Sequence, residues 1–403
     1  MCGGRACRLL RSILTSSMAH MEHGPQPRQQ HGLLPARAEV FPPEPVLANC
    51  TLTRMMIAAD NPDGTPEPHD VVVADESGLT FMFVRSLKDA IYGQVWDALE
   101  VRLHSGGGVI FFTPVLDERG VPRRFAVKRM PKETIDRLLP TMQENPMREA
   151  AFLTLVQDPG HPNVVGLAAA LQDETTVYLV TPFVGGVGSG EMFDWVADNY
   201  QNPAPEATIM PLLHQIVDGT RYVHSKGICH ADMSLENTLV NSAHTEAFII
   251  DFGMALQMRY NEAGQRFMSV PDRRKAKRSY CPPETYKGRE PYDGVKVDVF
   301  SVGCMGFMMF TGIPPFDYAS RLDRKFRKVV FEGDLQGYLA EYGMPPLPDQ
   351  VFRLLQGMMS YNPERRPLPV EVLENPWFAP LGYAQQPQAA AQQPQAAAPA
   401  MNA

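Results

Sequence analysis

"CHADMSLENTLV", residues 229–240, is the stretch on which the reading of this chain turns. Asp232 is followed five residues later by Asn237, and the run becomes apolar at Leu239 and Val240. A carboxylate that can accept a proton and an amide oxygen that can hold a hard cation thus share one short loop. Asp and Asn are also ordinary turn formers, so the pair takes its meaning from what surrounds it.

Outward from this loop the texture of the chain differs on its two sides. Residues 79–128 read as strands ("LTFMFV", "YGQVWDALEV", "GVIFF", "RFAVKRM") separated by Gly-rich and charged turns. "MREAAFLTLV" has helical apolar spacing, and "TTVYLVTPFV" is strand-like again. Beyond "VGGVGSG" the pattern turns helical: "ATIMPLLHQIVDGTRYVHSKG" puts Ile209, Leu212, Leu213, Ile216 and Val223 on one face, with Gly227 as the stop. "VDVFSVGCMGFMMFTG" predicts an apolar helix ending at Gly312, where Pro314 and Pro315 prevent its continuation. Residues 23–69 are dense in Pro, Gln, Gly and His, so 1–76 is expected to be a disordered lead-in. "QQPQAAA" at 385–391 and again at 392–398 makes 381–403 a low-complexity tail. The foldable part is 77–380, expected to divide into a small β-rich lobe, 77–183, and a larger helical lobe, 184–380.

Bulk properties narrow the class. The 403 residues are 44% hydrophobic and 20% charged, as in ordinary globular chains. A net charge of −8 argues against nucleic-acid binding. There is no run of 18 apolar residues, so no membrane-spanning helix is expected. Arg5, Arg8 and Arg11 precede the first acid, Glu22, as in a weak transit peptide, but the apolar block of a signal peptide is missing and Cys2 breaks the myristoylation pattern, so a disordered head is the preferred reading. Cysteines 2, 7, 50, 229, 281 and 304 form no CxxC pair. Scattered thiols fit a reducing compartment, so a cytoplasmic location is expected, with the nucleus as the alternative. A monomer is expected as well.

Four signals stand in fixed order: "FAVK" (125–128), "HADMSLEN" (230–237), "IIDFG" (249–253) and "YCPPE" (280–284). With them the chain resembles the eukaryotic protein kinases over residues 80–380. The resemblance implies an α+β bilobal fold with a small β-rich N-lobe and a larger α-helical C-lobe. It implies ATP and Mg²⁺ as cofactors and a protein substrate phosphorylated on serine or threonine. Lys128 would hold the α- and β-phosphates, paired with Glu149, or with Glu144 should the helix take in that residue; Pro146 could start the helix and leave it outside. Asp251 and Asn237 would ligate Mg²⁺, and Asp232 would accept the proton of the attacking hydroxyl. At the adenine end Thr181 falls at the gatekeeper position; the Pro182 carbonyl and the Val184 N–H would bind the base between walls of Val95, Ala126 and Leu239. Asp298 fits the acid that braces the catalytic loop, and Arg366 the partner of Glu284.

The nucleotide loop matches least well. "GGG" at 106–108 lies before "VIFFTP", whereas "KDAIYGQVWDA", 88–98, follows a good first strand. The second reading is preferred: Gly93, Val95 and Ala98 end the loop, Tyr92 is the aromatic at its tip, and Lys88 and Ala90 replace two glycines. It requires an insertion between the second and third strands.

Two further departures are in the quoted loop itself. The family's His-Arg-Asp becomes His230-Ala231-Asp232, so a phosphate on the activation segment would lack its bidentate arginine partner. This chain should not depend on that form of switching. The lysine two residues after the Asp becomes Ser234, while Lys277 stands where the family places threonine. These read as two halves of one exchange, with the Lys277 ammonium reaching the space above Ser234; the alternative is a solvated cluster of Arg273, Arg274, Lys275, Lys277 and Arg278. Glu191 and Glu236 lie where many kinases meet substrate arginines, which points to a basic-directed preference, although Glu191 could instead contact the ribose. The runner-up is a pseudokinase acting as nucleotide-binding scaffold or allosteric partner; a small-molecule kinase is disfavoured by the complete "PPE", Asp298 and Arg366 set.

Overall fold

The computed structural model describes residues 34–37, 41–58, 66–106, 109–142, 144–186, 188–270, 277–288 and 290–382. The head before 34, the cluster 273–275, two glycines of "GGG" and the repeats after 382 lie outside the described residues. The chain divides into two compact units: 42–161 with 165–186, and 1–41 with 162–164 and 187–403.

The smaller unit is built on strands because its sequence alternates β-branched and aromatic residues with polar ones. Its strands are β2 (Ala48–Ala58), β3 (Glu67–Ala74), β4 (Thr80–Ala90), β5 (Gly93–Gly106), β6 (Val109–Pro114), β7 (Arg124–Pro131), β8 (Ala169–Gln172) and β9 (Thr176–Pro182); β1 (Leu34–Arg37) belongs to the other unit. They form one eight-stranded sheet, β3-β4-β5-β6-β2-β8-β9-β7, with β3–β2 and β5–β7 also paired. These extra pairings close the sheet on itself, so few strand edges are left bare.

Two of these strands correct an expectation. Residues 48–58 and 67–74 fall in the segment read as disordered, yet they form a hairpin paired from Cys50↔Ala74 to Ile57↔Glu67. The physical reason is burial on both faces. Val72 joins a core of Cys50, Phe81, Phe83, Phe125, Val127, Tyr178 and Val180. Its neighbours Val71 and Val73 point the other way, into a second core of Ile57, Met82 and Val101 with Leu99, Ile110 and Phe112 against it. The prolines counted over 23–69 dilute this pattern in any local window, and its partners lie far along the chain. The insertion after the second kinase-like strand contains β6, which completes the second core.

Two helices follow β7. The short α1 (Lys132–Leu138) precedes α2 (Pro146–Gln157), whose Asn145 side chain caps the N–H groups of Met147 and Arg148 at 2.9 and 3.2 Å.

The larger unit is helical. After β10 (Gly190–Glu191) and α3 (Met192–Asp198), helix α4 (Glu206–Ser225) buries Ile209, Leu212, Leu213, Ile216 and Val223, and Gly227 carries a left-handed φ of 73° just past its end. The loop 230–237 leaves β11 (Ile228–Cys229) and enters β12 (Thr238–Val240). β11 pairs with β14 (Leu256–Gln257), and β12 lies between β10 and β13 (Ala247–Ile249). Each end of the loop is therefore fixed by backbone pairing. β15 (Phe267–Ser269) and α5 (Pro283–Lys287) come before α6 (Gly294–Thr311). α6 is apolar and long enough to cross a membrane by length and composition, but 89% of it is buried within the protein, as a core helix should be. It ends at Gly312, φ 70°.

Candidate active site

Within the smaller unit, Lys128 sits on β7 directly opposite Val95 of β5. Phe125 and Val127 are committed to the core, so Ala126 and Lys128 occupy the other face by strand alternation. Helix α2 begins at Pro146, which leaves Glu144 outside and places Glu149 in the first turn. The Lys128 Nζ donates to Glu149 Oε2 at 2.7 Å, with both side chains largely buried. Thr181 donates its hydroxyl to the Ala126 carbonyl at 3.2 Å; Pro182 ends β9 and Val184 follows it.

The preferred register of the nucleotide loop has a counterpart: β4 and β5 form a tight hairpin in which Ala90 pairs with Gly93. Two details differ from expectation. Tyr92 stands at the turn but is wholly buried, and its hydroxyl donates to the Glu144 carbonyl at 2.6 Å. Gly93 is required by the neighbouring strand: an added Cβ would lie 2.1 Å from the Arg129 carbonyl oxygen. Packing therefore accounts for both residues.

In the larger unit the loop 230–237 hangs on Asp298 of α6. The fully buried Asp298 carboxylate accepts the N–H groups of His230 and Ala231, each at 2.8 Å, and the His224 Nε2–H at 2.8 Å. Ala231 takes a left-handed φ of 63°, a costly conformation for a residue with a Cβ that these bonds hold in place. His224, Asp298 and Cys229 lie close enough to suggest a metal, but Asp298 already accepts three N–H donors and burial pushes the Cys229 thiol well above its ordinary range. Arg366, also buried, donates to Glu284 through both terminal nitrogens, at 2.5 and 2.9 Å.

Asp232, Asn237, Ser234 and Lys277 come together. The Asn237 amide donates to the Asp232 carbonyl at 2.9 Å and to Asp232 Oδ2 at 2.7 Å, so its oxygen is the atom left for a cation. The Lys277 Nζ donates to Asp232 Oδ2 at 2.9 Å and to Ser234 Oγ at 3.0 Å. Burial works against charge on Lys277, but the carboxylates of Asp232 and Glu236 outweigh it and hold the ammonium above the usual lysine range. Asp251 also has a left-handed φ, 66°, and accepts the Gly253 N–H at 3.1 Å. Leu239 pairs across the strands with Glu191 and Phe248.

Glu236 is otherwise engaged: its carboxylate accepts the Tyr280 hydroxyl at 2.9 Å, and burial raises it although Lys277 pulls it down. The sequence reading missed Tyr280, His224 and the buried Asp97, which pairs with Arg124 and, at 3.4 Å, with Arg85. Tyr280 lies three residues from Lys277, in "KRSYCPPE", and an aromatic hydroxyl beside a motif needs a buried acceptor. Nothing local marks Asp97 as buried.

Comparison with known proteins bears on the same residues. The family model for the protein kinase domain matches residues 116–378, more than half of the chain. The probable serine/threonine-protein kinase HSL1 of Saccharomyces cerevisiae is 32% identical over 238 residues, 58% of this chain and 14% of that protein. CBL-interacting serine/threonine-protein kinase 17 of Arabidopsis thaliana is 31% identical over 259 residues, 63% of this chain and 53% of that one. Serine/threonine-protein kinase PLK4 of Danio rerio is 32% identical over 224 residues, 55% and 21% respectively. The chain thus spans from about a seventh to about half the length of these relatives. The match begins at 116, after β6. With its fold and its four ordered motifs, the chain belongs to the eukaryotic protein kinase family.

Proposed function

We propose that this chain is a protein kinase that transfers the γ-phosphoryl group of ATP to serine or threonine hydroxyls, with Mg²⁺ as cofactor. The observation that carries the reading is Lys277, whose ammonium lies 2.9 Å from Asp232 Oδ2 and 3.0 Å from Ser234 Oγ. A positive charge thereby stands beside the catalytic carboxylate although residue 234 carries none. A scaffold has no use for that arrangement.

In the reaction the substrate hydroxyl oxygen bonds to the γ-phosphorus while the bridging oxygen leaves with ADP. Asp232 orients the hydroxyl and takes its proton. Lys277 faces the charge on the transferring group, and Lys128, positioned by Glu149, binds the α- and β-phosphates. The oxygens of Asn237 and Asp251 suit a hard cation, and would hold Mg²⁺, which when bound neutralises phosphate charge. A basic-directed preference rests on Glu191 alone once Glu236 is committed to Tyr280.

Transfer of labelled γ-phosphate from Mg-ATP to a basic protein, compared with Asp232→Asn, tests this. The substitution should lower turnover about 10²- to 10⁴-fold. Absence of transfer by the native chain, with ATP binding intact, would return it to the scaffold reading.

A further inference from the structure

The segment between "DFG" and "PPE", residues 251–284, must be held in place for a substrate to dock, and Ala231 removes the arginine that could hold it through a phosphate. The position of Ala231 is apolar: it packs, with Phe41, against Cys229, Leu256, Tyr292, Val295 and Val297. Beside this cluster the segment is fastened by other means. Arg266 donates through Nε to Asp293 Oδ1 at 3.0 Å and through a terminal nitrogen to Asp293 Oδ2. Asp293 is buried, and it caps α6 by accepting the Val295 N–H at 3.1 Å. Ser269 and Tyr292 exchange backbone bonds of 2.8 and 3.0 Å, and the Phe267 N–H donates to the Arg259 carbonyl at 2.8 Å.

The start of α6 is in turn pressed against the catalytic loop. A Cβ on Gly294 would lie 2.5 Å from Cys229 Sγ, two residues before Ala231. Arg266 therefore connects the segment, through Asp293, to the helix that carries Asp298. The chain's own β1 adds a parallel strand to the same place, Leu34 beside Phe267 and Arg37 beside Ser269.

We propose that Arg266 is the positioning residue that fixes the activation segment of this chain, its fork on Asp293 replacing an arginine–phosphate link at residue 231, so that the substrate platform is set without phosphorylation. A planar guanidinium on a buried carboxylate gives the same two-point geometry as one on a phosphate. The difference is that the acid is built into the fold.

The proposal rests on the kinase reading, so its test has a readout independent of turnover. Hydrogen exchange over residues 256–270 is measured on the full chain, native and phosphatase-treated, and on Arg266→Met and Arg266→Lys; kcat and KM for a serine-containing basic peptide are measured in parallel. Phosphatase treatment should leave exchange unchanged and kcat within about twofold. Arg266→Met should speed exchange in Phe267–Ser269 and lower kcat/KM for the peptide about tenfold with ATP affinity retained, and the lysine variant should recover part of the loss. Faster exchange in the phosphatase-treated native chain, or unchanged exchange in Arg266→Met, would overturn the proposal. If the native chain transfers no phosphate, the kinase reading fails and the exchange comparison still decides this one.

Discussion

Lys128 and Lys277 each meet a carboxylate, 2.7 Å away in the smaller unit and 2.9 Å away in the larger, but the chain supports them in different ways. Lys128 stands on a central strand and its partner on a capped helix, with the two side chains 15% and 8% exposed. Both positions are set by regular structure whose cores lie behind them. Lys277 comes from a loop and meets another loop; it is 35% exposed, and it divides its bonds between a carboxylate and a hydroxyl. Removing one member of a buried pair leaves an uncompensated charge, which costs about 3–5 kcal/mol, whereas exposed pairs contribute about 0–1 kcal/mol. The first lysine is therefore part of what holds its unit together. The second pair stands between these limits, since Lys277 is partly exposed but Asp232 is buried.

That contrast can be broken at the frame behind Lys128. Burial, with Asp173 and Asp75 nearby, pushes the Cys50 thiol up to about 12 from 9.0. A thiol whose folded value is raised adds stability that is complete below pH 9 and is lost as pH rises through 12. At pH 8 its alkylation should be slower than in the unfolded chain by about a hundredfold or more, since only the thiolate reacts. A Cys50 that reacts at the unfolded rate would mean that the 48–74 hairpin does not close the sheet.

Next in size is Glu149→Ala, expected to cost about 3 kcal/mol in urea unfolding, against about 1–2 kcal/mol for the half-buried Lys277→Ala. Equal losses would erase the distinction between the two lysines. Tyr280→Phe, which frees Glu236, should have the smallest effect, lowering kcat about threefold by loosening the carboxylate that faces Lys277. An unchanged kcat would limit Tyr280 to packing.

How much of this could be read in the sequence depended on the range of the interaction. The start of α2 at Pro146 and the ends of α4 and α6 at Gly227 and Gly312 are local decisions, and local residues announced them. The meeting of Asp232, Asn237 and Ser234 follows from one short loop. The 48–74 hairpin was illegible because Val71, Val72 and Val73 have meaning only once β4 and the strands beyond it are in place on both faces. The Gly93 turn was legible as a tight hairpin, but the burial of Tyr92 and the close approach of Arg129 to Gly93 were not, because both depend on segments distant in sequence. The Arg266–Asp293 fork spans 27 residues and lies in none of the four motifs.

On the proposed mechanism Lys277 supplies, from the activation segment, the charge that Ser234 lacks. The direct measurement is single-turnover transfer by Lys277→Ala and by the double exchange Ser234→Lys with Lys277→Thr, with ATP affinity measured on both. The single variant should lose about 10²-fold at unchanged ATP affinity, and the double exchange should recover most of it. Turnover by Lys277→Ala at the native rate would contradict this mechanism.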